Sequence, residues 1–144
     1  MTLQDIYNYI KTSALSKVGV ESVYLDEPYN CWNVYRDIKY GSVAVFIDNV
    51  QAGGVDNVRV YNINLYYGDI LTETGDNIYS IQNTAVEVLN AVIKDLRGLE
   101  GCFMDNNTTV NLFRQKFTDI LGGGYCNFSL SCIVDDCDKY NKEV

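Results

Sequence analysis

The sequence predicts an α+β fold: a mostly antiparallel sheet of about five strands with two amphipathic helices on one face. Three observations predict it. Residues 76–98 place Ile78, Ile81, Ala85, Val88, Leu89, Val92, Ile93 and Leu96 on one stripe, and Asn83, Glu87, Asn90, Lys94 and Arg97 on another, with helical spacing. Residues 58–67 and 125–134 instead alternate with a period of two. The connections among the middle strands are of hairpin length, which favours antiparallel pairing.

Thr2 opens a first helix, with Leu3, Ile6, Tyr7, Ile10 and Ala14 on one side and Gln4, Asp5, Asn8 and Lys11 on the other. Gly19 marks its end. Residues 21–30, around the only proline, Pro28, read as a surface connection with a short extended piece at residues 23–25. Residues 31–40 are rich in aromatic and β-branched types, Gly41-Ser42 breaks the run, and Val43 to Ile47 follows. This pattern predicts two strands joined by a tight turn, the second apolar on both faces and covered on each side by a helix or a neighbouring subunit. Gly53-Gly54 makes a hairpin connection; no GK[ST] follows it, so it is not read as a phosphate loop. In the strand at residues 58–67, Tyr61, Ile63 and Leu65 share one face, and Val60, Asn62, Asn64 and Tyr66 the other.

The long helix is expected to be capped by Asp76, to set Lys94 and Arg97 against its negative end and to stop at a left-handed Gly98. At about 1.5 Å per residue it is roughly 30 Å long, enough to cross a small sheet. Residues 108–112 resume extended character. The spacing of Phe113, Phe117, Ile120 and Leu121 then predicts one or two helical turns before Gly122-Gly123-Gly124. In the last strand Cys126, Phe128, Leu130, Cys132 and Val134 form the buried face. Residues 1–134 are thus read as one domain and 135–144 as a mobile acidic tail.

A chain of 144 residues with 47% hydrophobic content is sufficient for one two-layer core. Its formal charge of −8 disfavours a surface that grips nucleic acid. No apolar run is long enough for a membrane span, and the start lacks a basic region followed by an apolar one, so the chain reads as soluble and made without export. Cys31, Cys102, Cys126, Cys132 and Cys137 form an odd set without a CxxC pair, read as reduced thiols serving as small hydrophobes rather than as disulfides or a zinc site. The absence of histidine excludes Ser/His/Asp, Cys/His and HExxH chemistry. Asp135, Asp136 and Asp138 lie in the expected tail, as does Cys137, which lacks a histidine partner or a basic neighbourhood of any strength. No catalytic, cofactor-binding or metal residue is predicted, and the chain is read as a non-enzyme.

The second sheet face is the informative one. Tyr, Val and Ile are interspersed there among Asn and Ser, a mixture that suits burial against another subunit, and the chain's 12 tyrosines fit the same role. The expected subunit interface is Arg59, Val60, Asn62, Asn64, Tyr66 and Tyr67. Tyr66→Asp is expected to leave folding largely intact and abolish assembly.

Asn33-Val34-Tyr35-Arg36 leading to Gly41-Ser42-Val43-Ala44-Val45, a long hairpin strand, the helix NIYSIQNTAVEVLNAVIKDL and the segment FRQKFTDILGGGYCNFSLSCIV together resemble the tail terminator and tail completion proteins of tailed bacteriophages. The likeness covers roughly residues 2–134 and lies in element order and pattern. It implies a small α+β subunit without catalytic residues or cofactor, closing head-to-tail into a six-fold or twelve-fold ring in the neck or tail of a virion. It further implies portal or tail proteins as neighbours, no membrane contact, and an acidic channel that passes DNA without holding it. The cysteine-rich last strand and the short acidic tail depart from that pattern. The alternative class is a small acidic binding protein that imitates DNA or inhibits a host factor. Against it, Asp5, Asp26, Glu27, Asp37, Asp48, Asp56, Asp69, Glu73 and Asp76 are scattered rather than gathered on one surface.

Overall fold

Helix α1 (Leu3–Leu15) begins at a capping box: the Asp5 amide donates to the Thr2 hydroxyl at 3.1 Å and the Thr2 amide to the Asp5 carboxylate at 2.8 Å. It buries Ile6, Ile10 and Ala14, as the spacing predicts. The computed structural model describes residues 2–34, 39–52, 57–104, 107–117 and 119–133, so Gly53-Gly54, Val134 and the expected tail lie outside the described residues. Strand β1 (Ser22–Tyr24) pairs parallel with β2 (Ser42–Ala52), β2 antiparallel with β3 (Val58–Ile70), and β3 antiparallel with β6 (Ile120–Ile133). The other edge of β6 carries β5 (Asn111–Lys116) along its first half and the two-residue β4 (Cys102–Phe103) near its end. The α+β architecture is therefore present, with six strands among the described residues in one mostly antiparallel sheet.

Helix α2 (Ile78–Arg97) lies over β3 and β6, and α1 lies over β1 and β2 against α2. Their apolar stripes meet Val43 and Val45 of β2, Tyr61, Ile63, Leu65 and Tyr67 of β3, and Cys126, Phe128, Leu130 and Cys132 of β6. Both helices thus cover the same face. Each strand contributes alternate residues to the core because a pleated strand turns successive side chains to opposite sides.

Several local expectations are corrected. The strand expected over residues 31–40 does not begin as predicted: Asn30–Val34 wind a π-helical turn, and residues 35–38 lie outside the described set. The aromatic character that mimics a strand belongs to Trp32, which lies across the sheet with Nε1 donating to Ser42 Oγ at 2.8 Å. Phe113 and Phe117 are not helical: β5 runs to Lys116 and the chain reverses, with the Phe117 amide donating to the Asp119 carbonyl at 2.8 Å. Their spacing with Leu121 arises because this hairpin packs all three residues into one cluster with Trp32.

The glycine run Gly122-Gly123-Gly124 lies inside β6 and pairs with Asp69, Gly68 and Tyr67. A Cβ at Gly122 would come within 2.5 Å of Ile78 Cδ1, and one at Gly124 within 3.2 Å of Ala85 Cβ, so these residues let α2 approach the sheet closely. Finally, Asp76 does not cap α2. Its carboxylate accepts from the Thr72 hydroxyl at 2.7 Å, and the residue before the helix, Asn77, uses its amide to bind the Ile70 carbonyl at 3.2 Å. The expected left-handed stop is absent too: Gly98 has a helical φ of −81°, and its amide reaches back to Lys94 and Asp95.

The two helices are joined through Asp95. Its carboxylate accepts from Lys17 Nζ and from Ser13 Oγ, each at 2.6 Å, and these contacts hold its carboxyl below the ordinary value of 3.8, Lys17 foremost. A depressed carboxylate stabilises the fold above its unfolded pKa, and that increment is lost as pH falls through the lowered folded value. The side chain is 37% exposed, so solvent screens the pair. Asp95→Asn is expected to cost about 1 kcal/mol at neutral pH and to flatten the part of the acid limb below pH about 4; urea titrations at several pH values check both.

Candidate interaction face

The face of the sheet turned away from the helices falls into two zones. At one end it is covered by the chain itself. Trp32 packs edge-on against Tyr66 and Phe117, with ring centroids 6.5 and 5.0 Å away, and near Phe113 at 6.2 Å. Cys31, Ala44 and Leu121 are buried beneath this cover. A Cβ at Gly68 would lie 2.9 Å from the indole, so a side chain there would push the cover off. This is what covers the second face of β2 at Ala44, the role left open between a helix and a neighbouring subunit.

Beyond Trp32 the face opens. First comes a stack of rings: Phe46, Tyr66 and Tyr125 lie nearly parallel across β2, β3 and β6, with successive centroids 6.3 and 5.2 Å apart. Burial, and secondarily Tyr125, raises the pKa of the Tyr66 phenol. Next, Asn127 Nδ2 donates to Asn64 Oδ1 at 2.6 Å, and Asn64 Nδ2 reaches the Phe46 carbonyl at 3.4 Å. A second polar row follows, in which Ser129 Oγ donates to Asn62 Oδ1 at 2.6 Å and Asn62 Nδ2 donates to Asn49 Oδ1. At the far end Val60 is paired with Ser131, Ser131 with Phe103, and Val58 with Ile133. Phe103 and Ile133 are 55% and 50% exposed, so this end presents apolar side chains to the surroundings.

These rows have an energetic consequence. Burying an amide or hydroxyl costs free energy chiefly when its hydrogen bonds are lost. Here the polar groups bond one another along the sheet, so a partner could cover them without leaving all of them unpaired. The face is also pinned by cross-strand contacts in three strands, which lowers the entropy lost on docking.

Four of the six residues expected at the interface, Val60, Asn62, Asn64 and Tyr66, share this face through their common parity in β3. Arg59 and Tyr67 do not. Tyr67 is in the core at 2% exposure, donates its hydroxyl to the Gly19 carbonyl at 3.0 Å, and has its phenol pushed up to about 12 by burial, with Asp69 and Glu21 adding to the shift. Arg59 pairs with Ala52 and Cys132 and alternates to the same side as Tyr67. The β2 and β6 share of the face is Asn49, Tyr125, Asn127, Ser129 and Ser131, residues outside the six-residue interface that the sequence predicts. The polar alternation in residues 125–133 was visible, but its place beside β3 was not.

Clefts also lie elsewhere among the described residues. One of about 560 Å³ is lined by Asn90, Ile93, Lys94, Arg97 and residues 107–109, and one of about 210 Å³ by Ile70, Leu71, Thr72, Glu73, Arg114, Asp119 and Ile120. Among the described residues no group of three or more His, Cys, Asp or Glu side chains converges as a metal site would require, and no helix is long and apolar enough to cross a membrane. Neither a family model nor a curated protein matches this chain.

Proposed function

We propose that this chain is a structural subunit of a ring in the neck or tail of a bacteriophage virion, acting as tail terminator, tail completion protein or portal-to-tail connector. The observation that carries the reading is the open sheet face, where polar rows paired among themselves lie between stacked rings and exposed apolar residues. The resemblance in element order and pattern supplies the class of assembly. In this reading copies of the chain meet head-to-tail through this face and close by rotation, six-fold or twelve-fold. Portal, neck or tail proteins lie above and below, and the ring is built in the host cytoplasm before it joins the virion. The work done is geometric: one surface matches the tube or portal, and the other blocks addition of further tube subunits. The net charge of −8 suits a lumen that repels DNA phosphates as the genome passes.

The reading as an acidic mimic has less behind it. The open face presents amides and hydroxyls where a phosphate mimic needs carboxylates.

Light scattering and negative-stain electron microscopy of one purified sample test the proposal. Rings with a central hole are expected, alone or after addition of tail or portal protein, and their symmetry can be counted directly. A compact monomer that ignores those proteins at high concentration overturns it.

A further inference from the structure

The edge where β4 meets β6 brings two thiols together. Cys102 and Cys132 are register partners, and their Sγ atoms are 3.0 Å apart. The neighbouring Ile133 amide donates to the Gly101 carbonyl at 2.9 Å, whereas the Cys102 amide turns away to the Leu99 carbonyl at 3.2 Å. Cys102 and Cys132 thus occupy a non-hydrogen-bonded position of the ladder, where opposing Cα atoms approach to about 4.5 Å and side chains lie closest. That separation is within the range a disulfide spans. Cys132 is fully buried, while Cys102 is half-buried on an outer strand of the sheet.

We propose that Cys102 and Cys132 are a thiol–disulfide exchange site that closes to a cross-strand disulfide on reaction with a small-molecule disulfide of the glutathione class. The more accessible Cys102, as thiolate, attacks one sulfur of the reagent, forming a mixed disulfide and expelling one small thiolate. The Cys132 sulfur then loses its proton to solvent and attacks Cys102 Sγ, forming the protein disulfide and expelling the second small thiolate. Two protein thiols are oxidised and one reagent disulfide is reduced to two thiols, so the electrons balance. Burial, then the contact with Cys102, pushes the Cys132 thiol up to about 12, so the second step, which needs the Cys132 thiolate, speeds as pH rises. Cys31 and Cys126, also fully buried and pushed up to about 12 by burial, serve as unreactive controls within the same chain. The structural effect is to fasten β4, otherwise held by two register pairs, and to fix Phe103 at the margin of the open face.

The test is incubation of the full folded chain with oxidised glutathione, followed by peptide mapping and thermal melting. A linked peptide joining Cys102 to Cys132 is expected, with loss of two hydrogens from the chain and a melting temperature raised by roughly 5 °C, reversed by dithiothreitol. Cys102→Ser should give neither the link nor the rise. A Cys102 that remains a free thiol or a glutathione mixed disulfide, a link to a different cysteine, or a link without a rise in melting temperature overturns the proposal.

Discussion

Gly123→Ala is expected to leave little folded protein. Gly123 sits in β6 between Gly68 of β3 and Phe113 of β5, hydrogen-bonded into the middle of the sheet. An added Cβ would lie 1.8 Å from the Tyr67 carbonyl oxygen and 2.9 Å from its carbon. The obstacle is backbone, so no rotamer change relieves it, and moving it means parting β3 from β6 where Tyr67 enters the core. A cost of about 4 kcal/mol or more is expected, against a total stability on the order of 5–15 kcal/mol. Urea titration followed through the single tryptophan, Trp32, reads the loss directly. Gly98→Ala is the matched control, because Gly98 has a helical φ of −81° and the nearest heavy atom to an added Cβ is 3.4 Å away. It should be neutral or stabilising by up to about 1 kcal/mol. A Gly123→Ala protein that melts like the control would mean that β3 and β6 are not so closely joined.

The parts of the fold legible in the sequence are those in which one element buries one stripe against one surface. The period of residues 78–97 and the alternation in β3 and β6 are of that kind, and each element lies where its pattern puts it. What was not legible depends on contacts between distant segments. Trp32 carries the same strand preference whether it stands in a strand or lies across one, and only its contact with Gly68, far along the chain, decides the matter. Likewise a run of three glycines looks the same as a loop or as a strand pressed by a helix. For the site, alternation was enough to group Val60, Asn62, Asn64 and Tyr66. The same rule sets Arg59 and Tyr67 on the helix-covered side of β3, apart from the other four. The β6 half of the face required the pairing of β3 with β6, which no local signal carries.

On the ring reading, Ser129→Arg abolishes assembly and leaves the subunit folded. Ser129 is exposed on β6 at the middle of the open face, where its hydroxyl donates to Asn62 Oδ1. Removing that hydrogen bond costs the monomer about 1 kcal/mol, because both groups remain within reach of water. At a closed interface the balance is different: an unpaired guanidinium there costs several kcal/mol, and a ring repeats that cost at every contact. Tyr66→Asp, the substitution the sequence points to, separates the two effects poorly, because Tyr66 stacks between Phe46 and Tyr125 and meets Trp32 edge-on, so a carboxylate there disturbs the cover as well as the face. Asn127→Arg is the companion variant, removing the bond to Asn64. Melting temperatures within a few degrees of wild type, together with a scattering mass that drops from ring to monomer, are the expected pair of results. If rings persist in both variants, the open face points to solvent, and the contacts between subunits must lie at the sheet edges or on the helices.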